Sequence, residues 1–224
     1  MTRHLAIEID KLKQMILHLG DIVSESVRKS IEALQKRDVQ LAEAVIKGDN
    51  VIDRMEVDSE EECLKVLALH QPVAGDLRFI VAILKINSDL ERIGDFAVHI
   101  AEKAIQLSRQ KAVTVPDDFF VMAEKTQIML KKSIEALINL DAELARSISF
   151  SDDEIDDLNK KVSDQAKAEI RAHPENLDGL SNLLSVSRCI ERIADHVTNV
   201  AEDVVYMIEG EIVRHKARDN KPRL

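Results

Sequence analysis

The sequence predicts an all-α protein made of two tandem, pseudo-symmetric three-helix bundles, six long helices in all. Three observations carry this reading. Six glycines and four prolines in 224 residues are too few breakers for the turns of a sandwich, a barrel or a doubly wound sheet. Between those breakers, apolar residues recur at three- and four-residue spacing, the period of a helix with one buried face. The chain also repeats itself: KSIEALQKRD at 29–38 returns as KSIEALINLD at 132–141, seven identities in ten at an offset of 103. Further on, LERIGDFAVHIAE at 90–102 returns as IERIADHVTNVAE at 190–202, now offset by 100. A period near 100 is too long for a solenoid unit, so each copy reads as a bundle with its own core: residues 1–115 and residues 116–224.

Within that frame the helices fall at about 8–36, 39–69, 75–110, 117–139, 142–172 and 176–212. Gln71-Pro72 with Gly75 divides the first half, Val115-Pro116 separates the halves, and His173-Pro174 with Gly179 divides the second. Asp38 and Asp141 are N-caps, since a short carboxylate there accepts from the free N–H groups of the next turn. Short connections make sequential helices antiparallel neighbours.

Composition excludes several functions. Thirty-one basic against 41 acidic residues give a net charge of −10, which disfavours a nucleic-acid partner. The local exception, Arg214, Lys216, Arg218, Lys221 and Arg223, reads as a helix end with cations suited to the dipole. No apolar run approaches the ~18 residues of a membrane span, and MTRHLAIEID carries no secretory signal, so the expected location is the cytoplasm. Cys63 and Cys189 lie far apart without any Cys-x-x-Cys and read as buried bystanders.

The acids are placed unusually. On the third helix one stripe, Phe79, Ile83, Ile86, Leu90, Ile93, Ala97 and Ala104, is ordinary core, but a second begins with Leu77, Ile80 and Leu84, ends with Val98 and Ile105, and carries Glu91, Asp95 and Glu102 between. The second helix likewise mixes Ala42, Ile46, Leu64 and Leu67 with Asp49, Asp53 and Glu60. In a hairpin pivoting near Pro72, Asp53 lies level with Glu91 and Asp49 with Asp95. The second half passes the same test, since Asp156 and Glu191, and Asp152 and Asp195, are equidistant from His173-Pro174. Four carboxylates at i and i+4 on adjacent helices need a counter-charge, from water and basic side chains or from a hard cation. Arg92 and Arg192 are too far around the helix to serve easily. A single Asp/Glu-x-x-x-Asp is also common on a solvated face, and it is the recurrence of the level match in both halves that favours a metal site.

Nothing in the chain looks built for turnover. No histidine has a glutamate three residues before it, as a di-iron carboxylate enzyme requires, and there is no phosphate-cradling Gly-rich loop, nucleophile elbow or zinc-protease helix. His99 could join the acids, but Asn199 takes its place in the second half.

The string Leu69-His-Gln-Pro-Val-Ala-Gly-Asp-Leu-Arg78, followed by Lys85-Ile86, Asp89-Leu-Glu-Arg-Ile-Gly-Asp95 and Glu191-Arg-Ile-Ala-Asp195, resembles the PhoU family of bacterial phosphate-transport accessory proteins over nearly the whole chain. The resemblance implies two three-helix bundles side by side, a cytoplasmic homodimer or higher homo-oligomer, and no catalysis. It implies a regulatory adaptor that links the ATPase subunit of a phosphate ABC transporter to a sensor histidine kinase, holds phosphate-starvation genes off when phosphate is plentiful, and meets the membrane only through those partners. It further implies a multinuclear metal cluster (iron, zinc, manganese or magnesium) on Glu91/Asp95 and Glu191/Asp195, with Asp49/Asp53 and Asp152/Asp156 as less certain ligands. The rival is a metal store or di-metal carboxylate protein without a signalling role. The second copy departs from the family pattern, with His173-Pro-Glu-Asn-Leu177 at the turn and Ala194 for Gly94, so a differently populated second site is expected.

Overall fold

The computed structural model describes residues 3–211, and every long element among them is a helix. These are α1 (Arg3–Lys36), α2 (Val39–His70), α3 (Ala74–Ser108), α4 (Asp117–Asn139), α5 (Ala142–Ala172) and α6 (Leu177–Glu209), the last preceded by a 3-10 turn over Pro174–Asn176. The expected boundaries hold to within a few residues except at the start. There α1 extends back to Arg3, because buried Leu5 continues the apolar row of Leu12, Ile16, Leu19 and Val23. At the other end α6 stops at Glu209, since Gly210 takes a left-handed φ of 77°. The basic tail from Arg214 onward lies outside the described residues.

Asp38 and Asp141 are the caps expected: their side chains accept from Leu41 N at 3.0 Å and Leu144 N at 2.9 Å. Repeat-equivalent Arg37 and Leu140 precede them in the left-handed region, at φ 54° and 51°. Arg37 then reaches across to α3, its Nη2 donating to the carbonyls of Leu107 at 2.5 Å, Ser108 at 3.1 Å and Gln110 at 2.6 Å, which satisfies acceptors left over at that helix end.

α1, α2 and α3 pack mutually, as do α4, α5 and α6, and α1 also touches α4. The largest contact of all joins the halves: α3 runs antiparallel along α6. Lys85 pairs with Asp203 at 3.4 Å and lies over the Tyr206 ring, Asp89 meets His196 and Asn199, Phe96 meets His196 and Arg192, and Lys103 donates to Asn182. Successive contacts climb α3 while descending α6, so an internal two-fold passes close to Phe96 and its repeat counterpart His196. Two cations of α3, Lys85 and Lys103, thus lie against α6. Asp203 is 1% exposed, and Lys85 supplies it with a counter-charge.

The buried residues of all six helices form one connected cluster. The 115/116 boundary falls in a connection over 109–116 that is itself packed. Its Val113 lies so close to α6 that a Cβ at Gly179 would sit 2.7 Å from Val113 Cγ1. Residues 1–115 expressed alone are expected to form the α1–α3 bundle and to self-associate through the face α3 gives to α6, since that contact is already two-fold in kind. Hydrogen exchange and sedimentation check this: protected amides in a concentration-dependent dimer are expected, and an unprotected chain would refute it.

Candidate metal centre

The first acid row is held at the α2–α3 seam by packing. Asn87, at the next level, donates its side-chain amide to the Glu56 carbonyl at 2.9 Å and so fixes the register of the two helices. Gly94 sets their separation: a Cβ there would lie 3.1 Å and 3.2 Å from the Ile52 side chain and 3.7 Å from Asp49 Oδ1. The missing side chain lets α2 approach α3, and the approach carries Asp49 up to Asp95.

The charges of these groups act on one another across the seam, as the level match expects. Burial, then the negative charges of Asp53 and Asp95, push Asp49 up to about 6, partly relieved by His99. Glu91 is raised by burial and by Asp95, with Glu56 and Asp53 adding to it. Glu56 is raised by burial, Glu60 and Asp53. The second row repeats this: burial, then Asp195 and Asp156, raise Glu191. Glu91, Asp95, Glu191, Asp195, Asp152 and Asp156 are all half-buried, while Asp53 is exposed. In the second hairpin Ser187 donates to Asn159 Oδ1 at 2.6 Å, where the first has the Asn87–Glu56 bond.

Two features differ from expectation. Arg92 does serve the first row: its Nη1 is 3.2 Å from Asp95 Oδ2 and its Nε 3.6 Å from Glu91 Oε2. The Cβ direction points away, but a long, half-exposed side chain folds back along its helix and brings the charge with it. Arg192 and Arg188 likewise offset part of the rise at Glu191, although the Arg192 guanidinium lies 5.8 Å from the Phe96 ring centroid. The second feature is Glu56, which joins the first row and has no place in the Asp/Glu-x-x-x-Asp pattern. Its repeat counterpart is Asn159, so a comparison of the two copies passes over it. Glu60 and Glu102, by contrast, are exposed.

The donor chemistry suits a hard divalent cation: oxygen ligands only, partly buried, with protonation favoured by mutual repulsion. As the side chains stand, no three His, Cys, Asp or Glu groups among the described residues converge tightly enough to hold an ion, so coordination requires rotamer changes. His99 is turned by its Nδ1, which lies 3.0 Å from the Asp95 carbonyl. The cysteines contribute no thiolate, since burial pushes Cys63 up to about 12 and raises Cys189.

The fold and these rows define a class: tandem three-helix-bundle proteins with a carboxylate row in each repeat, and with no helix among the described residues long and apolar enough to cross a membrane. The PhoU domain family matches residues 16–104 and again 121–204, and the chain belongs to this family. It is 41% identical over 209 residues to a phosphate-specific transport system accessory protein PhoU homolog of Aquifex aeolicus, covering 93% of this chain and 95% of that one. A homolog of the same description from Pseudomonas aeruginosa is 33% identical over 220 residues, 96% of this chain and 91% of that one. The crystal structure of PhoU from Pseudomonas aeruginosa superposes with a TM-score of 0.89 at 32% identity, covering 92% of this chain and 99% of that one. That of the phosphate transport system regulatory protein PhoU from Streptococcus pneumoniae gives 0.87 at 31%, covering 93% and 99%.

The raised proton affinity of Asp49 fixes a pH signature. Its folded-state value of about 6 exceeds the unfolded value near 4, so the native state binds the extra proton between them. The penalty of ionised Asp49 is absent below about pH 4, grows up to pH 6 and is complete above. Asp49→Asn in chelator-treated protein is therefore expected to add about 1–2 kcal/mol at pH 7.5, after solvent screening, and nothing at pH 4. Urea unfolding at the two pH values measures this, and an equal effect at both would contradict it.

Proposed function

We propose that this chain is an accessory protein of a phosphate-specific transport system that works by contact rather than by catalysis. In this reading it links the ATPase subunit of the transporter to a sensor histidine kinase and keeps starvation genes off while phosphate is plentiful. It acts in the cytoplasm as a homodimer or higher homo-oligomer. The observation that carries the reading is the match over more than nine-tenths of the chain, in sequence and in fold, to proteins described as accessory or regulatory to phosphate transport.

The acid rows give the adaptor a means of changing shape. Without a cation, each hairpin carries like charges across its seam and the two helices repel one another there. A hard divalent ion held by Glu91 and Asp95, with Asp49 and Asp53 from α2, would draw α2 onto α3. Glu191 and Asp195, with Asp152 and Asp156, would do the same for α5 and α6. Iron, zinc, manganese and magnesium all suit carboxylates to differing degrees, and several ions in one row would form a multinuclear cluster. The rows differ in make-up: the first has Gly94 and the extra acid Glu56, while the second has Ala194 and Asn159. The first therefore binds more metal.

Two measurements test this. Metal content of protein purified without chelator or tag is expected to fall in Glu91→Ala/Asp95→Ala, with affinity down at least about tenfold, and to fall less in Glu191→Ala/Asp195→Ala. Unchanged content in both would make the acids solvated surface groups. In the second measurement, the full chain is expected to retain both the transporter ATPase and the kinase on a column. Capture of neither, with metal tightly held, would favour a metal store.

A further inference from the structure

We propose that the second half carries an oxyanion site, for inorganic phosphate or a small phosphate ester, in the cavity between α5 and α6 lined by Lys160, Lys167 and Arg188. The cavity has a volume of about 280 Å³, enough for either ligand, with Leu184 among its lining residues. Lys160 and Lys167 are seven residues apart, two turns along one face of α5, and Arg188 enters from α6. Ser163, between the lysines, brings a hydroxyl. Asn159 completes the set: its Oδ1 accepts from Ser187 at 2.6 Å, so its Nδ2 donors face away from that bond. A guanidinium, ammonium groups, a hydroxyl and an amide are the donors a tetrahedral dianion requires.

The repeat shows that the fold does not demand this chemistry. The equivalent positions in the first half, at offsets of 103 on α2 and 100 on α3, are Glu56, Val57, Glu60, Glu61, Leu64 and Ser88. Three carboxylates and two exposed apolar side chains thus stand where the second half has three cations and one carboxylate, Asp164. The same helix pair packs in both, and the chain as a whole carries a net charge of −10. Cations gathered here run against the prevailing field of the molecule.

The existing partners of these cations are weak. Lys160 meets Asp157 at 3.3 Å and Lys167 meets Asp164 at 3.5 Å, on side chains 58% exposed or more, a class of pair worth about 0–1 kcal/mol. Arg188 makes no hydrogen bond or ion pair among the described residues, and its charge acts on Glu191 one turn further along α6. A phosphate group is smaller than the roughly 10 Å between the two lysine positions along α5. The Ser187–Asn159 bond sets Arg188 at the level of Lys160, so these two grip the phosphate group, and Lys167 is left for the remainder of an ester.

The test is calorimetric titration of the chelator-treated full chain with inorganic phosphate and with glycerol 3-phosphate, at matched ionic strength. Saturable binding with a Kd of about 1 mM or tighter is expected for at least one of them. It should weaken at least about tenfold in Arg188→Ala and in Lys160→Ala, both exposed positions, and stay unchanged in Lys131→Ala on α4. Tighter binding of the ester assigns the cavity to an ester, and the reverse assigns it to the free ion. Absence of saturable binding for both, or equal losses in Lys131→Ala, would overturn the site. The site is independent of the adaptor role: a failed titration leaves partner capture standing, and failed capture leaves the titration standing.

Discussion

Carboxylates crowded onto a helix seam repel one another, and the rest of this structure is arranged around that repulsion. In the first hairpin the crowding is forced by packing. Gly94 admits Ile52, Ile52 brings α2 close, and the approach sets Asp49 beside Asp95. The Asn87 amide on the Glu56 carbonyl prevents the helices from sliding to escape. What remains is to raise the proton affinity of the acids, to recruit Arg92 from the rim, or to admit a cation. Arg92 is seen in place beside Glu91 and Asp95, burial and like charge favour the proton on Asp49, Glu56 and Glu91, and the cation belongs to the role proposed above.

The two halves answer the same constraint differently. The first adds an acid, Glu56, and relies on one arginine that spans Glu91 and Asp95. The second substitutes Asn159, has Ala194 in place of Gly94, and places the charges of Arg188 and Arg192 near enough to Glu191 to offset part of the repulsion there. One fold thus offers two electrostatic environments, a seam with an extra acid and one arginine in direct contact, and a seam with one acid fewer and two arginines acting at longer range.

Much of this was legible in the residues. Helical period and scarce breakers defined six helices, Asp38 and Asp141 marked two of their starts, and equal distances from the two turns placed the acids in register. What was not legible shares a physical cause. Helical-wheel angles follow Cβ directions, so they missed Arg92, whose guanidinium lies several bonds beyond its Cβ. Repeat comparison keeps what both copies share, so it discarded Glu56. Periodicity within one helix carries no information about which helix of the other half lies against it, so the α3–α6 contact, with Asp203 buried beside Lys85 and Asp89 against His196, emerged only in three dimensions.

Phe96 and His196 meet near the internal two-fold, their ring centroids 5.7 Å apart and their planes tilted by 38°. In an assembly of two identical chains, a residue on such an axis must meet a copy of itself, and any change there is made twice. Joining both halves in one polypeptide removes that obligation. Here it has produced a mixed pair, a hydrocarbon ring opposite an imidazole anchored by Asp89. The duplicated protein has thereby gained a front and a back, a directionality denied to a strictly symmetric ancestor.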